Sequence, residues 1–239
     1  MSTPVILCLM LVGGLGAIVP FVYVAVRRMG KTRLLQPAAP ERFAAQDMLA
    51  RAHDPWAKHF NFQCVGAYTF RSLQQRYLAI WRHAEQPVFF VMQVAGGSTH
   101  YEFLSVFNRE QQLTTTSQNA IAIPRPPGEY VQRFPNAKLS ELFEHHVRGH
   151  EFLLQQGHAT LQPFACRIDR AIVAAIARQH EHVTAMPAWP LRGLLWVLVE
   201  PRRLLDRSVA DQLRDRPPAA PKVAATPAGT RAQPSEHPA

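Results

Sequence analysis

A chain of 239 residues, 47% of them hydrophobic, with a formal charge of +9 holds enough apolar material for one buried core, and its charge permits attraction to anionic lipid, nucleic acid or acidic proteins without choosing among them. Its three cysteines, Cys8, Cys64 and Cys166, exclude a disulfide framework and fit a reducing compartment. No G-x-S-x-G elbow, Walker loop, dinucleotide fingerprint or paired C-x-x-C is present, so hydrolase, nucleotide and zinc-ribbon chemistry lack their usual starting points, and no cofactor is expected.

The first element is the uncharged run PVILCLMLVGGLGAIVPFVYVAV, from Pro4 to Val26. At about 1.5 Å per residue, a helix of this length crosses a hydrocarbon core of roughly 30 Å. Residues 4–26 are therefore expected to form one transmembrane helix behind a short N-terminal end, residues 1–3. A cleaved signal peptide is the weaker reading, because its basic residues would precede a shorter apolar core, whereas Arg27, Arg28, Lys31 and Arg33 follow the run. Basic residues are retained on the cytoplasmic side. The expected topology puts the N-terminus outside and the rest of the chain on the cytoplasmic side, with the basic juxtamembrane linker, residues 27–40, against lipid phosphates.

Residues 41–205 are expected to form a single α+β domain. Phe43, Ala44, Met48 and Ala52 recur at helical spacing up to a stop at Asp54 and Pro55. Residues 62–70 alternate as a first strand. Residues 77–107 read as three antiparallel strands with turns at 84–87 and 96–99. This register sets Trp81 opposite Phe90, Ala79 opposite Met92, Tyr77 opposite Val94, Met92 opposite Phe103 and Val94 opposite Tyr101. Both faces are apolar, so the sheet needs cover on both sides. A Thr-rich fifth strand, residues 111–117, suits an edge, and the prolines of 124–128 make a loop. Helices over 139–156, capped by Ser140 or Asn136, and over 169–182 supply the cover. The expected fold is an antiparallel β-meander of about five strands covered by helices and preceded by the membrane helix.

Residues 189–205, WPLRGLLWVLVEPRRLL, are too short and too interrupted by Pro190 and Pro201 to span a bilayer. They combine Trp189 and Trp196 with aliphatic residues and with Arg202 and Arg203, a mixture fitted to a lipid interface. The equal alternative is a third covering helix, with Trp196 and Leu198 buried against the sheet. Residues 206–239, most plainly from Pro217 onward, read as a Pro- and Ala-rich disordered tail.

His146 and His150 stand four residues apart on one helix, the spacing that aims two imidazoles at one metal. The positions a zinc protease would give to glutamate hold Val147 and Gly149, so structural histidines are the favoured reading and a metal site, completed by Glu102, His100 or His83, the alternative. Glu102, with Gln93 expected opposite and Arg82 as its partner, is a candidate acid or base if its surroundings raise its pKa, and an ordinary ion-pair member otherwise. His145 is expected in solvent. The basic residues do not interleave with exposed aromatics, so nucleic acid is not an expected partner; membrane lipid and a protein partner in the membrane are. The expected function is a single-pass, membrane-anchored, non-catalytic binding or assembly module. The alternatives are a metal-dependent or acid–base enzyme using His146, His150 and Glu102, and a binder of an apolar or lipid ligand between the aromatic sheet face and its helices.

Overall fold

Strand-forming residues between Phe62 and Thr116 fold into consecutive hairpins, and these set the layers of the molecule. The structure, a computed structural model, describes residues 18–30, 35–71, 75–119, 123–161 and 167–215. Among them a sheet follows chain order: β1 Gln36–Pro37, β2 Phe62–Arg71, β3 Gln75–His83, β4 Val88–Ala95, β5 Ser98–Val106, β6 Gln112–Thr116 and β7 Glu129–Arg133. The α+β class is as expected, but the strands number seven rather than about five. The additions are β1, drawn from the Pro- and Ala-rich linker, and β7, whose sequence EYVQR is too polar to advertise a strand. All neighbours are antiparallel except β6 and β7. A parallel pair needs a long crossover, which residues 117–128 provide. β6 is consequently interior, not the expected edge, and all of its residues are buried.

The β3–β4 register is the expected one, with Trp81 opposite Phe90, Ala79 opposite Met92 and Tyr77 opposite Val94. The β4–β5 register differs by two residues, so that Phe90 faces Phe103, Met92 faces Tyr101 and Val94 faces Thr99. The turn is the cause. Gly96 and Gly97 both take positive φ, 57° and 79°, which permits a two-residue hairpin turn in place of the longer one. A shift of two preserves the faces, and the aromatic side stays aromatic. In β2 a bulge between Cys64 and Gly66 reverses the alternation. Phe62 joins the aromatic layer, while Tyr68 packs on the opposite side.

The aromatic face is covered by α2 Ala44–Arg51, α3 Asp54–His59 and α4 Leu139–Gln155. Asp54 and Pro55, expected to end a helix, open α3 instead, because proline's missing N–H has no partner to lose in a first turn. From α3, Trp56 meets the rings of Phe60, Phe62, Phe90, Phe103 and Phe143 at centroid separations of 4.8–6.1 Å. Buried Trp81 donates its indole N–H to Asp54 at 2.9 Å, satisfying the ring's polar end. These rings pack as one cluster between the sheet and its covering helices. α4 opens at Lys138 rather than Ser140 or Asn136, with Glu141 accepting the Lys138 backbone N–H at 2.9 Å.

The opposite face is covered by α5 Ile168–Thr184, whose Ile168, Ile172 and Val173 pack on Leu78, Ile80, Phe89, Val91 and Leu104. Then follow α6 Trp189–Leu198, α7 Glu200–Leu204 and α8 Val209–Asp215. α8 lies past Leu205, where the domain was expected to end. Its Gln212 donates to the carbonyl of Val131 at 2.9 Å, and the N–H of Asp206 just before it donates to the carbonyl of Arg133 at 2.9 Å. α1, residues 18–29, contains the described end of the expected anchor. The remainder of that run, with Lys31, Arg33, Cys166 and the tail from residue 216, lies outside the described residues. No helix among the described residues is long and apolar enough to cross a membrane.

Candidate functional site

α4 lays His146 and His150 over β5 and β6 on the aromatic side. His146 is fully buried. Its Nε2 is 2.8 Å from Ser105 Oγ and its Nδ1 is 2.8 Å from Thr115 Oγ1, while Ser105 Oγ is also 2.8 Å from His150 Nδ1. From β7, Gln132 Nε2 donates to Thr115 Oγ1 at 2.8 Å and to the carbonyl of His145 at 2.7 Å, and Gln132 Oε1 accepts the N–H of Val209 at 3.0 Å. One proton arrangement satisfies every one of these groups: Gln132 donates to Thr115, Thr115 to His146 Nδ1, His146 Nε2 to Ser105, and Ser105 to His150. It requires a neutral His146. Burial, helped by neighbouring His150, holds the pKa of His146 well below the ordinary value, and burial lowers that of His150 too.

Gly149 makes room for this network, since a Cβ there would fall 2.8 Å from Gln132 Nε2. Gly149→Ala is expected to lower stability by about 1–3 kcal/mol through displacement of Gln132, although alanine is the better helix former. A denaturation midpoint at or above that of the parent would show that the Gln132 amide is not confined in this way.

Both ring nitrogens of His146 are thus engaged, and among the described residues no three His, Cys, Asp or Glu side chains gather as metal ligands. Glu102 projects from the other face of the sheet. It stands opposite Val91 rather than Gln93, and its Oε1 accepts the Thr116 hydroxyl at 3.1 Å. Arg82 is exposed opposite Phe89, and Glu102 lies within electrostatic reach of the Arg133 guanidinium. The sheet therefore separates Glu102 from His146 and His150. His83 accepts the N–H groups of Glu85 and Gln86 in its own turn, and His100 faces Gln93. His145, expected in solvent, stacks on Phe134 with centroids 3.8 Å apart. Ser105, Thr115 and Gln132 are the partners that sequence reasoning missed; only Thr115 lies on the polar, Thr-rich strand that was read as an edge.

A second candidate is the surface formed by α1 and α6. Along α6, Trp189, Gly193 and Trp196 recur at i, i+4 and i+7, and so do Leu191, Leu195 and Leu198 on the opposite side. The first set faces inward. Trp196 is buried with Val22, Val26 and Val183, and a Cβ on Gly193 would fall 2.7 Å from Val22. Tyr23 stacks nearly parallel on Trp189 at 5.6 Å, with the Arg27 guanidinium 5.2 Å from the Tyr23 ring centre. The second set faces outward: Leu191 is 64% exposed, Leu195 55% and Leu198 44%. Phe21 and Val24 of α1 are exposed as well. Trp196 is core, against α1 and α5 rather than the sheet, while Leu198 is open. Arg27, Arg28 and Arg202 are exposed, and Arg203 pairs with Glu200 at 3.4 Å. No protein-family model, curated protein or solved structure matches the chain.

Proposed function

We propose that this chain is a single-pass, membrane-anchored, non-catalytic binding or assembly module with its α+β domain on the cytoplasmic side. The domain is held to the bilayer twice, by the apolar run at residues 4–26 and by the outward face of α6, and it presents its remaining surface to a protein partner in the membrane. The carrying observation is the open stripe of Leu191, Leu195 and Leu198, with Phe21 and Val24 of α1 also exposed, because a helix with apolar residues on two opposite sides calls for cover on both. Transfer of such side chains out of water is worth about 1.5–3 kcal/mol for each one fully buried. The tether raises the effective concentration of that weak contact, and the exposed Arg27 and Arg202 are available to lipid phosphates. An environment-sensitive fluorophore at Leu191→Cys in the full-length chain, with Cys8, Cys64 and Cys166 replaced by serine, is expected to shift to the blue and be quenched by brominated lipid in anionic vesicles. The same probe at Arg82→Cys should stay water-like. Water-like emission from position 191 in membrane-inserted protein would end this reading.

A further inference from the structure

A cleft of about 650 Å³ lies between β7, α5 and the α6–α7 arm, within the range of roughly 300–1,000 Å³ that holds small ligands. Its apolar walls include Met186, Leu195, Trp196 and Leu204, and its polar walls include Arg125 and Arg192. Leu195 belongs both to this wall and to the outward stripe of α6, so the cleft adjoins the surface assigned above to the bilayer. Its acids are paired with arginines, although Glu129 Oε2, buried, accepts no hydrogen bond. Glu129, nearly inaccessible, has Arg178 at 3.0 Å and Arg125 at 3.6 Å, and Glu200 has Arg203 at 3.4 Å. The Arg125 separation is too long for a hydrogen bond, and Arg192 has no acidic partner among the described residues. The cleft therefore combines aliphatic and indole surface with the guanidiniums of Arg125 and Arg192, while Arg178 and Arg203, just outside the lining, pair with its carboxylates Glu129 and Glu200.

We propose that this cleft binds a single anionic amphiphile, its chain against Met186, Leu195, Trp196 and Leu204 and its head accepting hydrogen bonds from Arg125 and Arg192. The head is a phosphate or a carboxylate, supplied by a phospholipid of the adjoining leaflet or by a free fatty acid. Guanidinium is suited to either oxyanion, since its planar fork meets two oxygens at once. The inference rests on the membrane reading for the route by which a lipid arrives, though the cleft's own chemistry does not depend on it.

The test is mass spectrometry of the lipids retained by full-length protein purified in mild detergent, set against the lipid composition of the source membrane. Anionic species are expected to be enriched, and the Arg125→Gln/Arg192→Gln variant to retain less by about fivefold for each guanidinium removed. Delipidated protein is then titrated separately with oleate and with dioleoyl phosphatidylglycerol. Saturable binding of one that weakens in the variant identifies the source, and binding of both supports the shared chemistry. A Met186→Trp variant, shown by circular dichroism to be folded, should fill the cleft and lose the ligand while both arginines remain. Equal retention of zwitterionic and anionic lipid, or retention unchanged in the arginine variant, would overturn the proposal. A fluorophore at position 191 that enters the bilayer while the cleft stays empty sinks only this inference, whereas a loaded cleft with a water-like probe sinks only the membrane reading.

Discussion

Lowering the pH from about 8 to about 5 is expected to destabilise the domain, with the loss beginning near the ordinary histidine pKa of about 6.5. His146 is neutral in the folded state because it is buried and because His150 is its neighbour. In the unfolded chain the same imidazole takes up a proton as the pH falls through that value. Below it the unfolded state binds more protons than the folded state, so stability rises with pH up to about 6.5 and is level above it, as far as this residue is concerned. The slope from one such fully neutral histidine is about 1.4 kcal/mol per pH unit. His150, His145 and His83 are also lowered by burial and act in the same direction, with the more exposed of them contributing less. Denaturant titrations of the full chain in mild detergent at several pH values measure the slope. His146→Gln, which retains a donor and an acceptor, is expected to be less stable at pH 8 and to show a shallower fall. Stability level from pH 8 to 5, or a slope that this variant leaves unchanged, would mean that His146 is charged in the folded state.

Phe103→Ala is expected to cost about 3–5 kcal/mol, a large part of the roughly 5–15 kcal/mol that holds a domain folded. Phe103 is fully buried, and its ring lies 5.2 Å from Phe90, 5.1 Å from Phe143, 5.9 Å from Trp56 and 5.7 Å from His146. Truncation would open a cavity where β4, β5, α3 and α4 meet, and four rings cannot all move inward to close it. The midpoint of urea unfolding measures the loss. A change below about 1 kcal/mol would place Phe103 outside the core, contrary to this register. Because the substitution leaves both nitrogens of His146 engaged, the variant should keep the pH slope of the parent, which separates a packing effect from a protonation effect.

Much of this core was legible because large apolar residues alternate through β3, β4 and β5 on both faces, and such a pattern admits few registers. The β3–β4 pairing follows from it directly. The β4–β5 pairing does not, since a shift of two residues conserves every face and only the φ angles of Gly96 and Gly97 decide the turn length. The bulge at Val65 escaped for a related reason: Phe62, Cys64, Gly66, Tyr68 and Phe70 read as one alternating face until an extra residue interrupts it. β7 and the network around His146 were hidden more deeply. Gln132, Thr115 and Ser105 are polar residues buried because they satisfy one another across three strands and α4, and no local pattern reveals partners so far apart in the chain. The four-residue spacing that puts His146 and His150 on one side of their helix was legible, but the polar groups that occupy them could be found only in three dimensions. The amphipathic logic of residues 189–205 was visible as composition, and its division into an inward tryptophan face and an outward leucine face needed α1 in position.

The way β7 is finished bears on how the protein is made. A strand at the margin of a sheet leaves a row of carbonyl and amide groups that invite a second chain to add on. Here the carbonyls of Val131 and Arg133 are taken by Gln212 and Asp206, and Leu205 forms a bridge to Arg133. All of these arrive late in synthesis, long after the sheet they protect. While the ribosome is still adding residues 134–204, the growing polypeptide carries β7 as an open margin, and neighbouring nascent chains on the same message are the copies best placed to meet it. Completion of the segment around α8 withdraws that margin, so protection of β7 is tied to the synthesis of residues 205–212.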